Sequence, residues 1–497
     1  MQSPMKSWGW LALALALVLA GCDSSSMPPP PVPDAGTQGD AGVTDDAGTP
    51  DSGVAQAQPC EKTQGVCAGA NRALVDGAYE PVCTARSYGA DYEAAETRCD
   101  GLDNDCDGVT DPATWADVAP MQWAPYASMV DSAPVEGGLL VVVSDRPGQI
   151  QLLRLDTALS LVGTTVIPVA TGIDPATAAQ LVRTSRGLAL FYSVQGSTYD
   201  STQGRLLPLN EQGAPLTEPP GVLLFEQPAR YAPARLAFSR DGGHGLVTWV
   251  SSAPATGDAR ELLGMMVDAD GQVLSEPRVL FQAEQARTSL FGPKVLSLGD
   301  GSFVVLAVEG AGVADEERIR LRRYDSSLSL IGEERILTAG YSSTPRLLLS
   351  PPTPESPSGE PMLLLRAAGG ANPQLQQVRA LFSNGGLETL TPTTPSQSAW
   401  LGATVTSRGL QVAWISMRYA PVTGQDTFFD FEGRFWGMSP SGIVTDWTPG
   451  ALPMPMHRHG EWVLMHELPG QWMGALLMNA TDNPRSYTLR SLRYCAP

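Results

Sequence analysis

The stretch Asp103-x-Asp105-x-Asp107-Gly108-x-x-Asp111 sets carboxylates at positions 1, 3, 5 and 9 of a short loop, with glycine at position 6. Calcium is a hard cation that takes six to eight oxygens, and alternate acidic residues wrap a chain around one such ion while glycine makes the sharp turn. Val109 would add its carbonyl oxygen at position 7. The twelfth position, where a bidentate glutamate would close the shell, is Thr114, so Asp100 or water must supply the missing oxygens. Affinity is then expected in the weak range of about 10⁻⁴ to 10⁻³ M. Four like charges this close repel each other without a counter-ion, although a solvated acidic turn is the plainer alternative.

Seven cysteines occur. Cys22 stands apart, and Cys60, Cys67, Cys83, Cys99, Cys106 and Cys495 make an even set whose default reading outside the cytoplasm is disulfides. Zinc would want a C-x(2–4)-C pair, and none exists. Connectivity stays open. Three of the four histidines, His457, His459 and His466, fall near the end among Met454, Met456, Met465, Met473 and Met478. Imidazole with thioether suits copper, but exposed histidines beside a methionine and tryptophan core are the preferred reading. No Gly-x-Ser-x-Gly elbow, His-Glu-x-x-His pair, Gly-x-Gly-x-x-Gly or phosphate-binding loop is present.

Several kinds of segment must position these groups. Lys6 carries the single charge ahead of a twelve-residue apolar or glycine run, Trp8 to Leu19, followed at once by Leu19-Ala20-Gly21-Cys22. The run is too short to cross a hydrocarbon core of about 30 Å at 1.5 Å per residue, and its layout is that of a signal peptide over residues 1–21. Leu-Ala-Gly-Cys resembles the lipobox of bacterial lipoproteins, which implies acyl chains on Cys22 and lasting attachment to a bilayer of the cell envelope. The expected place is the outer membrane or cell surface; Asp23, next to the cysteine, is an inner-membrane retention signal in some bacteria.

Residues 22–59 follow as a tether. They hold the run Pro28 to Pro31 and three Asp-Ala-Gly repeats, with no aromatic or basic residue, and cannot bury enough apolar surface to offset ordering entropy. Residues 23–59 contribute −6 and residues 60–111 contribute −7, from eleven acids against four bases, to a net charge of −20. That balance, with lysine only at positions 6, 62 and 294, argues against nucleic acid as a partner.

Residues 60–114 read as a cysteine-rich metal-binding module. From residue 115 to 497, apolar runs alternate with Gly, Pro, Asp and Ser clusters, and no 3.6-residue period is sustained. The fold class is therefore all-β. Apolar strands recur after Gly138, Gly187, Gly245, Gly301 and Gly409, with Pro361-Met-Leu-Leu-Leu and Gln471-Trp-Met-Gly-Ala-Leu-Leu filling the series. A period near 50 to 60 residues with about four strands each is the pattern of propeller blades. Seven blades fit best, with six or eight as alternatives and a pair of β-sandwiches as the rival fold. The last repeat has three strands, so Asp117 to Trp123 is expected to supply the fourth and close the ring, with Pro120 on an outer edge. Closure would bring Cys495 within reach of the other five cysteines, and a disulfide to one of them is expected.

The residues Cys99-Asp-Gly-Leu-Asp-Asn-Asp-Cys-Asp-Gly108 look like the metal-binding motif of the MopE-type family, common in exported bacterial proteins. The resemblance covers about a dozen residues, or at most the module. It departs at Pro112, where the family has an acidic residue, and in having one copy. Leu236-Ala-Phe-Ser-Arg-Asp-Gly242 resembles the turn of TolB-type propeller repeats and approaches a sialidase Asp-box through Ser239, Asp241 and Gly243, with Trp249 three positions late; hairpin chemistry is the simpler reading.

Two function classes follow. With no catalytic motif in view, the first is a membrane-anchored protein that binds calcium and presents its propeller to a protein or glycan. The alternative is an exported propeller hydrolase or lyase acting on glycans or esters.

Overall fold

The computed structural model describes residues 57–121, 128–146, 148–169, 178–195, 201–227, 234–252, 259–284, 288–310, 317–338, 346–349, 360–369, 372–381, 387–389, 397–406, 409–419, 427–438, 444–447, 452–453, 458–480 and 487–495. The signal segment, the tether, Cys22, Trp123 and His457 lie outside them.

Among the described residues, a two-stranded sheet of Leu74–Val75 and Ala78–Tyr79 lies in the cysteine module, and seven larger antiparallel sheets follow one another along the rest of the chain. The first runs Ser128–Val135, Gly138–Arg146, Gln149–Leu155 and Leu161–Pro168, each strand pairing with the next. The same four-strand meander recurs over residues 178–227, 234–282, 289–338, 346–389 and 397–447, where Leu452–Pro453 adds a short fifth strand. The first strand of each sheet packs against the first strand of the next, and Arg458–Glu467 of the last sheet returns to Ser128–Val135. This closed ring of inner strands is a β-propeller.

The packing explains the repeat seen in the sequence. Second strands lie in the middle of their sheets with neighbouring sheets on both faces; Phe303–Gly310 is buried at every residue. The core consists of layers between sheets. One cluster joins Leu140, Val142 and Ile150 to Leu190, Tyr192 and Leu207, and another joins Phe191 and Leu224 to Leu236, Val247 and Trp249. Turn glycines let adjacent sheets approach. Gly242 has φ +70°, its carbonyl accepts from Ser185 N at 2.8 Å, and a Cβ there would stand 2.2 Å from that nitrogen.

Closure comes from the start of this region. The last sheet runs Arg458–Glu467, Trp472–Ala480, Tyr487–Cys495 and then Thr114–Met121, three residues ahead of the strand expected from sequence. Pro120 sits on this edge strand in register with Thr488, the kind of strand in which proline is tolerated. Cys99–Cys495 is a disulfide, as expected of Cys495, and Cys60–Cys83 and Cys67–Cys106 complete the set. Around the clasp, Cys99 N donates to Gly470 O and Trp472 Nε1 donates to Thr97 O, each at 2.9 Å, while the Arg493 guanidinium stacks on Trp472. Residues 57–497 therefore form one compact unit.

Candidate functional site: the axial cavity and the acidic loop

The inner strands surround a cavity of about 340 Å³ lined from five of them, by Asp131 and Ser132, Leu296, residues 347–349, residues 403–405 and residues 464–466. Ser132 Oγ lies 2.5 Å from His466 Nε2 at its wall. The two belong to the first and last inner strands, 334 residues apart, and ring closure makes them neighbours. Each strand carries a bulge, between Met129 and Asp131 in one and between Glu461 and Val463 in the other, the kind of irregularity that re-aims side chains. Asp131 Oδ2 accepts from Leu181 N at 2.8 Å, and Gln180 Oε1 accepts from Leu236 N at 2.9 Å, so side chains of one inner strand are held by amides of the next.

Burial pushes the His466 pKa down to about 4. The ring is neutral near pH 7, and with the proton on Nδ1 its Nε2 accepts from the serine hydroxyl. A nucleophile and a base in hydrogen-bond contact beside a cavity can carry out acyl transfer. Sequence reasoning picked out His466 as a possible copper donor and missed Ser132, which has no motif around it. His459 lies on the same strand as His466, and its side chain is outside the described residues.

In the acidic loop, one carboxylate oxygen from each of Glu96, Asp103 and Asp105 lies within 4.8 Å of the others. Glu96 was not foreseen, because it stands outside the alternating pattern. Asp103 takes the amides of Asp107 and Gly108 at 3.1 and 3.0 Å, and Asp107 Oδ1 takes that of Val109 at 2.8 Å. Asp100 Oδ1 takes the Leu102 amide at 3.0 Å. Asp111 Oδ2 takes the Gly101 amide at 2.9 Å, which places Asp111 beside the Cys99–Cys495 clasp. Burial, and then the charges of Asp111 and Asp105, push the Glu96 carboxyl above its usual range; burial and Asp100 do the same to Asp111. Glu96 Oε1, Asn104 Oδ1 and Asp111 Oδ1 are buried with no hydrogen-bond partner. Converging carboxylates with orphaned oxygens fit a hard divalent cation.

The Ser239–His244 turn is hairpin chemistry. Ser239 Oγ donates to Asp241 Oδ1 at 2.6 Å, the Gly243 amide donates to the same oxygen, and Trp249 stacks on Phe225 instead of completing a box.

No family model and no curated protein matches the chain. Solved structures do. An α-L-arabinanase of Penicillium chrysogenum, complexed with arabinobiose, aligns at 10% identity and TM-score 0.43 over 77% of this chain and 99% of that one. An α-L-arabinofuranosidase of Fusarium graminearum aligns at 10% identity and TM-score 0.41 over 67% of this chain and 97% of that one. The β-propeller domain of the Trilobed protease of Pyrococcus furiosus aligns at 10% identity and TM-score 0.41 over 75% of this chain and 98% of that one. The preference for a binding or scaffold surface is corrected: arabinanase and arabinofuranosidase chains stand among those matched, a likeness of fold alone, and Ser132 Oγ meets His466 Nε2 on the cavity wall.

Proposed function

We propose that this protein is a hydrolase whose site is the axial cavity and whose substrate is a glycan or an ester. The observation that carries the reading is the Ser132 to His466 contact on the cavity wall. Turnover of aryl glycosides and carboxylic esters by the full chain tests it. At least one class is expected to be cleaved, and Ala403→Trp, which fills the cavity from an inner strand, should suppress that cleavage. A folded protein inert to the whole panel, or an Ala403→Trp variant of undiminished rate, would overturn it.

The accompanying proposals concern placement. The lipobox-like ending supports acylation of Cys22 and an envelope location, and Cys22→Ser should then move the protein from the detergent phase to the aqueous phase. Equal partitioning of both forms would remove the anchor. The MopE-like loop, with Glu96 joining Asp103 and Asp105, supports a bound calcium whose work is to hold the module together.

A further inference from the structure

The walls of the axial cavity narrow its chemistry. Glycosidic cleavage ordinarily needs two carboxyl groups about 5 to 10 Å apart across the scissile bond. Among the described lining residues Asp131 is the one carboxylate, and its Oδ2 already accepts the Leu181 amide. The lining is otherwise mostly aliphatic, with Leu296, Leu348, Leu349 and Met465 against the hydroxyls of Ser132 and Thr404. A sugar enclosed there would leave most of its own hydroxyls without partners, whereas an alkyl chain loses nothing. The volume, about 340 Å³, lies at the small end of ligand sites, which run from about 300 to 1,000 Å³.

We infer that the axial site cleaves small aliphatic carboxylic esters by acyl transfer through Ser132, with His466 as general base; this rests on the hydrolase reading above. The Oγ lone pair forms a bond to the ester carbonyl carbon while the carbonyl π pair moves to oxygen, and the hydroxyl proton passes to His466 Nε2. Collapse of the tetrahedral species breaks the bond to the alkoxy oxygen, which leaves with the proton from Nε2 as the alcohol. Water then attacks the acyl-serine, gives a proton to Nε2, and the acid departs as that proton returns to Oγ. Every inner strand pairs with its own sheet on one side only, so backbone N–H groups of its other edge are the candidate oxyanion donors, apart from those of Leu181 and Leu236, which Asp131 and Gln180 hold. Near pH 7 His466 is neutral and can take the proton on Nε2, and the burial that keeps it neutral makes it a weaker base than a free imidazole.

An alkyl fluorophosphonate, with adducts located by mass spectrometry, tests the inference on the full chain beside p-nitrophenyl acetate, butyrate and octanoate hydrolysis. One adduct per chain is expected, on Ser132, absent from Ser132→Ala and slowed at least about 100-fold in His466→Gln. Ester turnover should fall with it, and acetate and butyrate should be cleaved faster than octanoate. An adduct on another serine of the wild type, or none, overturns the inference even if both variants fail to fold. Glycoside turnover that survives Ser132→Ala also overturns it while leaving the hydrolase reading intact; failure of that reading shows instead as no turnover of either class.

Discussion

Burying His466 strips the protonated ring of its hydration, and the fold carries a pH-dependent load in consequence. The ring titrates at about 4 in the folded chain against an ordinary value of 6.5, so the unfolded chain binds more protons between those limits. Stability from this group is complete above about pH 6.5 and is lost as pH falls toward about 4. Urea unfolding at pH 7 and at about pH 4.5 should show the wild type losing about 2 to 3 kcal/mol more than His466→Gln. Equal losses would show that His466 is not buried as a neutral ring. Glu96 is the second residue whose surroundings set its role. Spacing alone points to Asp107 as a calcium donor, whereas the structure gathers Glu96 with Asp103 and Asp105. In calcium titrations of the full chain, Glu96→Gln should weaken binding at least about tenfold and Asp107→Asn much less. The reverse order would restore the donor set read from spacing, and a flat trace at millimolar calcium would remove the ion.

At the scale of elements, second strands were the legible ones. Gly138, Gly187 and Gly409 begin second strands, and Gly245 and Gly301 lie within two residues of the start of theirs, because a hairpin turn precedes each strand that must be apolar on both faces. Inner strands gave a far weaker signal: Arg346–Leu349 has four residues, and the alternating burial of Ala234–Phe238 runs for only five. The polar seams between sheets left no trace either, since their partners lie far apart in sequence. Arg320, 1% exposed, donates to Glu309 Oε2 at 2.9 Å, Glu334 Oε1 at 2.5 Å and Glu284 Oε1 at 2.8 Å, and to Gln282 O of the preceding sheet at 2.8 Å. Removing the cation leaves the buried Glu309, also 1% exposed, with Arg318 as its remaining cation at 3.1 Å and Glu334 with Arg322, so Arg320→Met should cost about 1 to 3 kcal/mol in chemical denaturation. The double variant Arg320→Met, Glu309→Gln should recover part of that loss. A single variant within about 0.5 kcal/mol of wild type would show the seam to be incidental.

For the whole molecule, ring closure was legible because three strands in the last repeat left a place for a fourth, and the five cysteines between residues 60 and 111, Cys22 standing apart, left one for Cys495. The axial site was not legible for the same geometric reason. Ser132 and His466 meet only when the ring is shut, and nothing local in either segment announces the other. The clasp should matter to stability. A loop of 396 residues corresponds to about 6 kcal/mol of chain entropy, of which measured disulfides ordinarily deliver about 2 to 4. Cys99→Ala with Cys495→Ala should lower the unfolding midpoint accordingly, with the loss concentrated in amide protection of Thr114–Met121 and Tyr487–Cys495. Unchanged protection there would show that strand pairing alone holds the ring.

The Thr114–Met121 edge also sets an order of events. A chain made from its N-terminus lays down this strand before any other of the propeller, yet the strand it pairs with, Tyr487–Cys495, is the last in the described structure. Until those residues arrive, the early strand has no sheet of its own to join, and Ser132 has no histidine beside it. Assembly of the ring and of the Ser132–His466 pair therefore falls at the end of synthesis. Six of the seven propeller sheets pair strands that are neighbours in the chain, whereas the last sheet and the Ser132–His466 contact wait for both ends of the propeller.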